Sequence, residues 1–369
     1  MNSFEYSYEK SQQEWSPIAS ALPSVFNSVA ISNEFTCDHD LVQASKLYSL
    51  PRVDVQPDTN MHYKGIPLGH YEHISLGAGA SYTVYKRKFK QWDKVVAIKY
   101  IKSPATPGYN EDTSGGAQRL TVLREIHALC LFKDYPTIIN LLAWGHSGVG
   151  ENFSYLITDY APLGSLDCFL RERKQGLKAD CLFQICLDVA DGIHAMHSQR
   201  WVHGDVKTAN ILMFEGNPRQ GQFMAKLSDL GFSMSLDFDN EDTCYRGTDL
   251  YNAPEVRSGR SRRIKDLNPL ACDVYSLGLL IWTVFKHGDF FLKGIDISVT
   301  DDSLDAQILD SVSAPQILGY ALKFANDRAS QDEARVLYQV FSACLQVDDK
   351  ARLPVREIYR LLAWPIERM

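Results

Sequence analysis

Apolar residues recur every third or fourth position from Ala179 to Ser198: Leu182, Ile185, Cys186, Val189, Ala190, Ile193 and Met196 form one stripe, which predicts an amphipathic helix over that span. Val274–Phe285 is apolar nearly all round and predicts a buried helix. Leu120–Phe132, Glu333–Gln346 and Val355–Leu362 carry helical spacing too. Upstream the period changes. Tyr71–Leu76, Thr83–Phe89 and Val95–Ile101 are short, rich in β-branched and aromatic residues, and separated by turn residues, so they predict three antiparallel strands. Leu141–Gly145 and Phe153–Thr158 predict two more around a Gly-rich turn. The expected architecture is α+β and bilobal. A small antiparallel sheet lobe with one main helix, about 71–160, precedes a larger, mainly helical lobe, about 161–362.

Two stretches lie outside this pattern. Residues 1–70 lack periodicity and are frequent in Ser, Gln, Pro and Asn, the composition of a flexible extension. Phe4, Tyr6, Tyr8, Trp15 and Phe26 give the alternative, an extension that docks its aromatics on the folded domain or on a partner. His287–Glu333 reads as a solvated insertion, with a docking surface as the alternative.

Composition narrows the function classes. Of 369 residues, 45% are hydrophobic and 22% charged, as in a soluble globular protein, and the formal net charge is −7. A net acidic chain argues against nucleic acid as a partner, which needs clustered Lys and Arg. Val274–Phe285 is too short to span a bilayer, so no membrane insertion is expected. The start has no signal-peptide pattern, Asn2 excludes myristoylation, and the end has no prenylation box. The eight cysteines are scattered without metal or redox spacing. Buried free thiols in a reducing compartment follow, hence a soluble protein of cytoplasm or nucleus.

Four segments carry chemistry. Leu76-Gly77-Ala78-Gly79 sits between two predicted strands, where glycines let backbone N–H groups approach phosphate oxygens; a plain hairpin turn would look the same. Lys99, in Val96-Ala97-Ile98-Lys99, points from an apolar strand and needs an anionic partner, for which Glu125 on the next helix is the candidate. Taken alone, that pair is equally a structural ion pair. His203-Gly204-Asp205-Val206-Lys207-Thr208-Ala209-Asn210 places a carboxylate, an ammonium and an amide in one loop between apolar runs. The carboxylate can accept a hydroxyl proton, the ammonium can neutralise a transferring phosphoryl, and the amide oxygen can bind a metal. Lys226-Leu227-Ser228-Asp229-Leu230-Gly231 adds a second carboxylate beside a Gly turn, suited to Mg²⁺.

In this order, and with Ala253-Pro254-Glu255 downstream, the motifs resemble the eukaryotic protein kinase family over about Tyr71 to Leu362. The resemblance implies a kinase domain at 71–362, with ATP and Mg²⁺ as cofactors and protein substrates as partners. It implies Asp205 as catalytic base, Lys207 as phosphate contact, Lys99 on the α- and β-phosphates paired with Glu125, and Asn210 and Asp229 as metal ligands. Leu76, Gly77, Ala78 and Gly79 would cover the nucleotide. Val84, Ala97 and Leu212 would line the adenine pocket, and Thr158, Asp159 and Ala161 would form gatekeeper and hinge. Asp273 matches the helix aspartate that supports the catalytic loop, and Arg352 the arginine that pairs with Glu255. Lys207 two residues after Asp205, with Gly247-Thr248 before Tyr251, is the serine/threonine arrangement, and Thr248 is expected to contact Asp205 and Lys207.

The sequence departs from the family at four places. Tyr82 stands where a third glycine is usual, and Leu230 replaces a phenylalanine. Phe214–Met224 lengthens one link as a surface hairpin. Gly204 replaces the arginine that would face a phosphorylated activation segment, so activity is expected without phosphorylation of Ser233, Ser235, Thr243 or Tyr245. Two other classes share part of the pattern. Small-molecule kinases also favour His-Gly-Asp but lack the Ala-Pro-Glu segment, and a pseudokinase scaffold would lose equivalents of Lys99, Asp205 or Asp229, none of which is lost here.

Overall fold

The computed structural model describes residues 74–78, 82–89, 93–101, 115–147, 153–173, 176–216, 222–237, 239, 242–258, 262–295, 305–328 and 330–366. The extension 1–70 and Gly79 lie outside the described residues. The chain divides into two compact units, residues 1–127 with 141–159 and residues 128–140 with 160–369.

The first unit is a five-stranded antiparallel sheet in the order β1-β2-β3-β5-β4, formed by Ile74–Ala78 (β1), Tyr82–Phe89 (β2), Lys94–Ile101 (β3), Leu141–Ser147 (β4) and Phe153–Asp159 (β5). Its register explains the split between core and site. Opposite residues of antiparallel strands point to the same side, and side chains alternate along each strand. Ile98 faces Ile157, and Tyr100 faces Tyr155. With Val96 and Ala143 these build a buried apolar cluster, edged by the tilted Tyr100–Tyr155 ring pair at 5.4 Å. The pairs Tyr82–Ile101, Val84–Lys99, Lys99–Leu156 and Ala97–Thr158 occupy the other face. The helix α1, Gly115–Leu131, starts earlier than apolar spacing predicts, because its first residues, Gly115-Gly116-Ala117-Gln118, carry no large apolar mark.

In the second unit the predicted stripe becomes helix α3, Ala179–Ser198, after the short helix α2, Leu166–Glu172, which Ser165 caps through Cys168 N. Helix α3 packs against the C-terminal helix α9, Val355–Ile366, and the strand β8, Phe223–Leu227. Strand β7, Ile211–Glu215, pairs with β8 as an antiparallel hairpin, in line with the expected surface hairpin, while 217–221 lie outside the described residues. Trp201–Val202 (β6) pairs with Met234–Ser235 (β9).

After the short helix α4, Pro254–Arg257, the central helix α5, Pro269–Phe285, is buried along nearly its whole length. Asn268 caps it by accepting from Ala271 N, and Pro269 opens its first turn, where no N–H is needed. Trp282 meets Phe291, Phe324 and Phe341. Gly278 is there for contact: a Cβ would come within 2.6 Å of Cys344 Cβ and 2.8 Å of Leu345 Cδ2. Gly278→Ala is therefore expected to cost about 1–3 kcal/mol by overpacking, despite alanine's better helix propensity, and a lowered midpoint in urea checks it.

The stretch 305–326 is more ordered than a solvated insertion. It contains helices α6, Asp305–Asp310, and α7, Ala314–Asn326, and α7 buries Ile317, Ala321 and Ala325 while packing on α8, Gln331–Cys344. Alanine at two of the three buried positions made that stripe faint in the sequence.

Two carboxyls of α3 clip neighbouring segments, Asp188 through a backbone N–H and Asp191 through a side-chain hydroxyl. Asp188 accepts from Ala225 N of β8 at 2.9 Å and from Gln184 Nε2 at 2.8 Å, and Asp191 accepts from Thr137 Oγ1 at 2.9 Å. Burial pushes Asp188 up to about 7 and Asp191 up to about 6. A carboxyl raised in the folded state adds stability below its unfolded pKa, and that gain is lost as pH rises through the folded value. Asp188→Asn should therefore gain stability over the wild type at pH 8 and lose the advantage by pH 5. Urea midpoints of both proteins at the two pH values test it, and a pH-independent difference would refute it. Among the described residues no helix is long and apolar enough to cross a membrane.

Candidate active site

In the first unit, β1 enters the glycine segment with Gly77 at φ +149°, in the region that favours glycine, and Leu76 exposed. Val84, Ala97, Lys99 and Thr158 share one face of the sheet by register, and Ala97 and Thr158 are buried. Lys99 Nζ forms an ion pair with Glu125 of α1, whose side chain is 1% exposed. The Tyr82 ring lies on the same face, with Lys99 Nζ 4.3 Å from its centroid. The bulk that replaces a glycine thus becomes a second, cation–π partner for the lysine. Asp159 ends β5 and pairs with Lys94 at 2.6 Å.

In the second unit, β6 leads into the loop at Asp205, which is 3% exposed. Its carboxylate takes three side-chain donors: Lys207 Nζ at 2.7 Å and Asn210 Nδ2 at 2.9 Å on Oδ2, and Thr248 Oγ1 at 2.7 Å on Oδ1. Lys207 Nζ also donates to Thr248 Oγ1 at 2.7 Å, closing a triangle of carboxylate, ammonium and hydroxyl. Thr248 thus has the contacts expected from sequence. Asp205 N donates to His203 Nδ1 at 3.2 Å, leaving His203 Nε2 as donor to the Ser228 carbonyl, also at 3.2 Å.

The donor set suits a hard cation. Asn210 spends both amide hydrogens on Asp205, on its Oδ2 and its backbone oxygen at 2.9 Å, so Oδ1 is the atom left to meet a metal. Ser228 donates its N–H (2.9 Å) and its hydroxyl (2.8 Å) to the Asn210 carbonyl, which fixes the neighbouring Asp229 beside Asn210. Asp229 is exposed and left-handed at φ +58°. Two protein oxygens completed by phosphates and water are what Mg²⁺ commonly takes. Among the described residues no group of three or more His, Cys, Asp and Glu could hold a metal alone. Leu212 and Ala161 of this unit are half-buried and buried.

The support is carboxylate-centred. Asp273 of α5 accepts from His203 N (2.7 Å) and His197 Nε2 (3.0 Å) on Oδ2, and from Gly204 N (3.0 Å) and Tyr245 Oη (3.1 Å) on Oδ1. Burial alone would raise its pKa; the hydrogen bond and charge of His197 and the backbone hydrogen bond of His203 outweigh that and hold it below the usual range. The Tyr245 contact has no signature in the local sequence and was not foreseen. Arg352 holds Glu255 with two bonds, at 2.6 and 2.8 Å. Cys130, Cys186, Cys272 and Cys344 are buried thiols, and burial pushes Cys130 up to about 12. Cys168 and Cys244 are exposed, so not every thiol is sheltered.

An antiparallel sheet unit with a lysine–glutamate pair, and a helical unit with this loop, are the parts of a kinase-like domain. The family model for the protein kinase domain matches residues 71–361, and the chain belongs to the eukaryotic protein kinase family. It is similar to an L-type lectin-domain containing receptor kinase of Arabidopsis thaliana, 34% identical over 225 residues, 58% of this chain and 30% of that protein. It is similar to a probable serine/threonine-protein kinase of Dictyostelium discoideum, 28% identical over 212 residues, 57% of this chain and 10% of that protein. An inactive tyrosine-protein kinase of Caenorhabditis elegans is 29% identical over 220 residues, 58% of this chain and 22% of that protein. The match thus spans under a third of each of these relatives.

Proposed function

We propose that this chain is a Mg·ATP-dependent protein kinase that phosphorylates serine or threonine hydroxyls, with its kinase domain at 71–362. The observation that carries this reading is the Asp205–Lys207–Thr248 triangle, a buried carboxylate at hydrogen-bond distance from an ammonium and a hydroxyl. Asp205 takes the proton of the substrate hydroxyl as its oxygen bonds to the γ-phosphorus, and the bond from that phosphorus to the β-phosphate oxygen breaks, releasing ADP. Lys207 offsets charge on the transferring phosphoryl. Lys99, held by Glu125, contacts the α- and β-phosphates. Leu76, Gly77, Ala78 and Gly79 cover the nucleotide, Val84, Ala97 and Leu212 line the adenine, and Thr158, Asp159 and Ala161 border it. Asn210 and Asp229 would hold Mg²⁺, which neutralises phosphate charge when bound. Its substrates are proteins of the cytoplasm or nucleus, and residues 1–70 form an extension of the domain.

The test is transfer of radiolabelled phosphate from Mg·ATP to a generic protein and to the chain itself, with phosphoamino-acid analysis and Lys99→Met as control. Label on serine or threonine, lost in the control, is expected. Label on tyrosine would overturn the hydroxyl class. The inactive relative favours a second reading, a nucleotide-binding scaffold, and binding of Mg·ATP without transfer would establish that instead.

A further inference from the structure

The segment from Asp229 to Glu255 carries the four hydroxyls that sequence offers as phosphorylation sites, and three are inside the protein. Ser233 and Tyr245 are 0% exposed and Ser235 is 2% exposed. Ser233 donates to the Leu230 carbonyl at 2.6 Å, and Ser235 Oγ accepts from Asp237 N at 3.3 Å. Tyr245 is fixed at both ends. Its backbone N–H donates to the Arg262 carbonyl at 2.7 Å, in a bridge formed by Cys244 and Arg263. Its hydroxyl donates to Asp273 Oδ1, the oxygen that also receives Gly204 N.

These bonds close a ring. From Tyr245 the path runs through Asp273 to the amide of Gly204, next to Asp205. From Asp205 it returns through Thr248 Oγ1, and Arg246-Gly247 lead back to Tyr245. The two glycines in the ring are required. Gly204, at φ +78°, has the Phe232 carbonyl where a Cβ would stand, and Gly247, at φ +58°, has the Asn252 side chain there. An arginine at 204 would collide with the segment that a hydrogen bond here holds directly.

We propose that Tyr245 is a positioning residue for the catalytic loop. Its hydroxyl ties the segment bearing Thr248 to the carboxylate that holds the loop bearing Asp205. The link is built into the sequence, so the loop is set without a basic residue at 204. It follows that Tyr245 is not a neutral phosphorylation-site substitution: Tyr245→Phe keeps the buried ring and removes the tie. The kinetic part of this inference rests on the phosphotransfer reading above, and the exchange part does not.

The experiment uses the full chain and Tyr245→Phe. It measures kcat and KM for Mg·ATP, the thermal midpoint, and hydrogen–deuterium exchange by peptide. The expected result is a kcat lowered about tenfold, the size of one hydrogen bond to a charged group, with KM within about twofold of wild type. Exchange should quicken over 203–210 and stay unchanged over 182–190 in α3. Wild-type kcat and wild-type exchange would overturn the proposal. A parallel loss of kcat, KM and midpoint, with exchange quickened everywhere, would also overturn it, because the hydroxyl would then serve bulk stability alone. If the wild type transfers no phosphate, the phosphotransfer reading fails, and exchange over 203–210 still decides the role of Tyr245.

Discussion

Asp205→Asn should lower kcat by about 10²–10⁴ while Mg·ATP still binds, because the change removes the proton acceptor and keeps the side chain's size. The geometry makes this substitution severe. Both carboxylate oxygens of Asp205 accept hydrogen bonds, from Lys207 and Asn210 on one and from Thr248 on the other. An amide in its place must turn an NH₂ towards one of those donors. Single-turnover transfer and calorimetric titration with Mg·ATP, run on the same preparation, separate the two effects. Transfer at the wild-type rate would refute Asp205 as the base. Loss of nucleotide binding in step with turnover would assign it to binding instead.

Arg352→Met should cost about 3–5 kcal/mol of folding stability, the usual penalty for removing one partner of a buried ion pair. The Arg352 side chain is 0% exposed and all its N–H groups are committed: two bonds to Glu255, one to the Ala271 carbonyl at 3.0 Å, one from Nε to the Gln346 carbonyl at 2.9 Å, and one to the Val347 carbonyl at 3.3 Å. Its guanidinium also sits 4.9 Å from the centre of the Tyr275 ring. Methionine fills the volume and leaves those acceptors without donors. Lysine should not rescue, since one ammonium cannot serve both Glu255 oxygens and three carbonyls spread around a planar group. Urea unfolding of the single variants and of the Arg352→Met, Glu255→Gln double variant checks this. A double variant as unstable as the sum of the singles would show that the pair is not coupled.

The sequence was most legible where periodicity was long. Ala179–Ser198 was read to the residue because seven apolar positions repeat over about four turns. Helix α2 was missed, since seven residues hold fewer than two full turns of pattern. Helix α7 was missed although its start carries a capping box, Ser313 with Gln316, and a proline in the first turn. That signal was available; the alanine-built stripe hid what followed it. In the site, residues that act within a few positions of each other were readable, as with Asp205, Lys207 and Asn210. Lys99 and Glu125 were readable from the need of a buried lysine for an anionic partner, whereas Glu255 and Arg352 were readable only through the order of motifs. Tyr245 was not readable as a partner of Asp273, because a contact between residues 28 apart leaves no local mark on either. Tyr82 stood out as a substitution, but its ring's place against Lys99 came only with the strand register.

That register bears on how the chain tolerates insertions and deletions. Strand β3 is paired along all eight residues with β2 and along five with β5. A one-residue deletion between Lys94 and Lys99 would invert every side chain beyond the cut. Lys99 would be driven among Ile98's apolar neighbours, and Ile98 would be presented where an ammonium is needed. A two-residue deletion shortens the strand yet returns each survivor to its own side. Gene-length variation in this strand should therefore be accepted in steps of two.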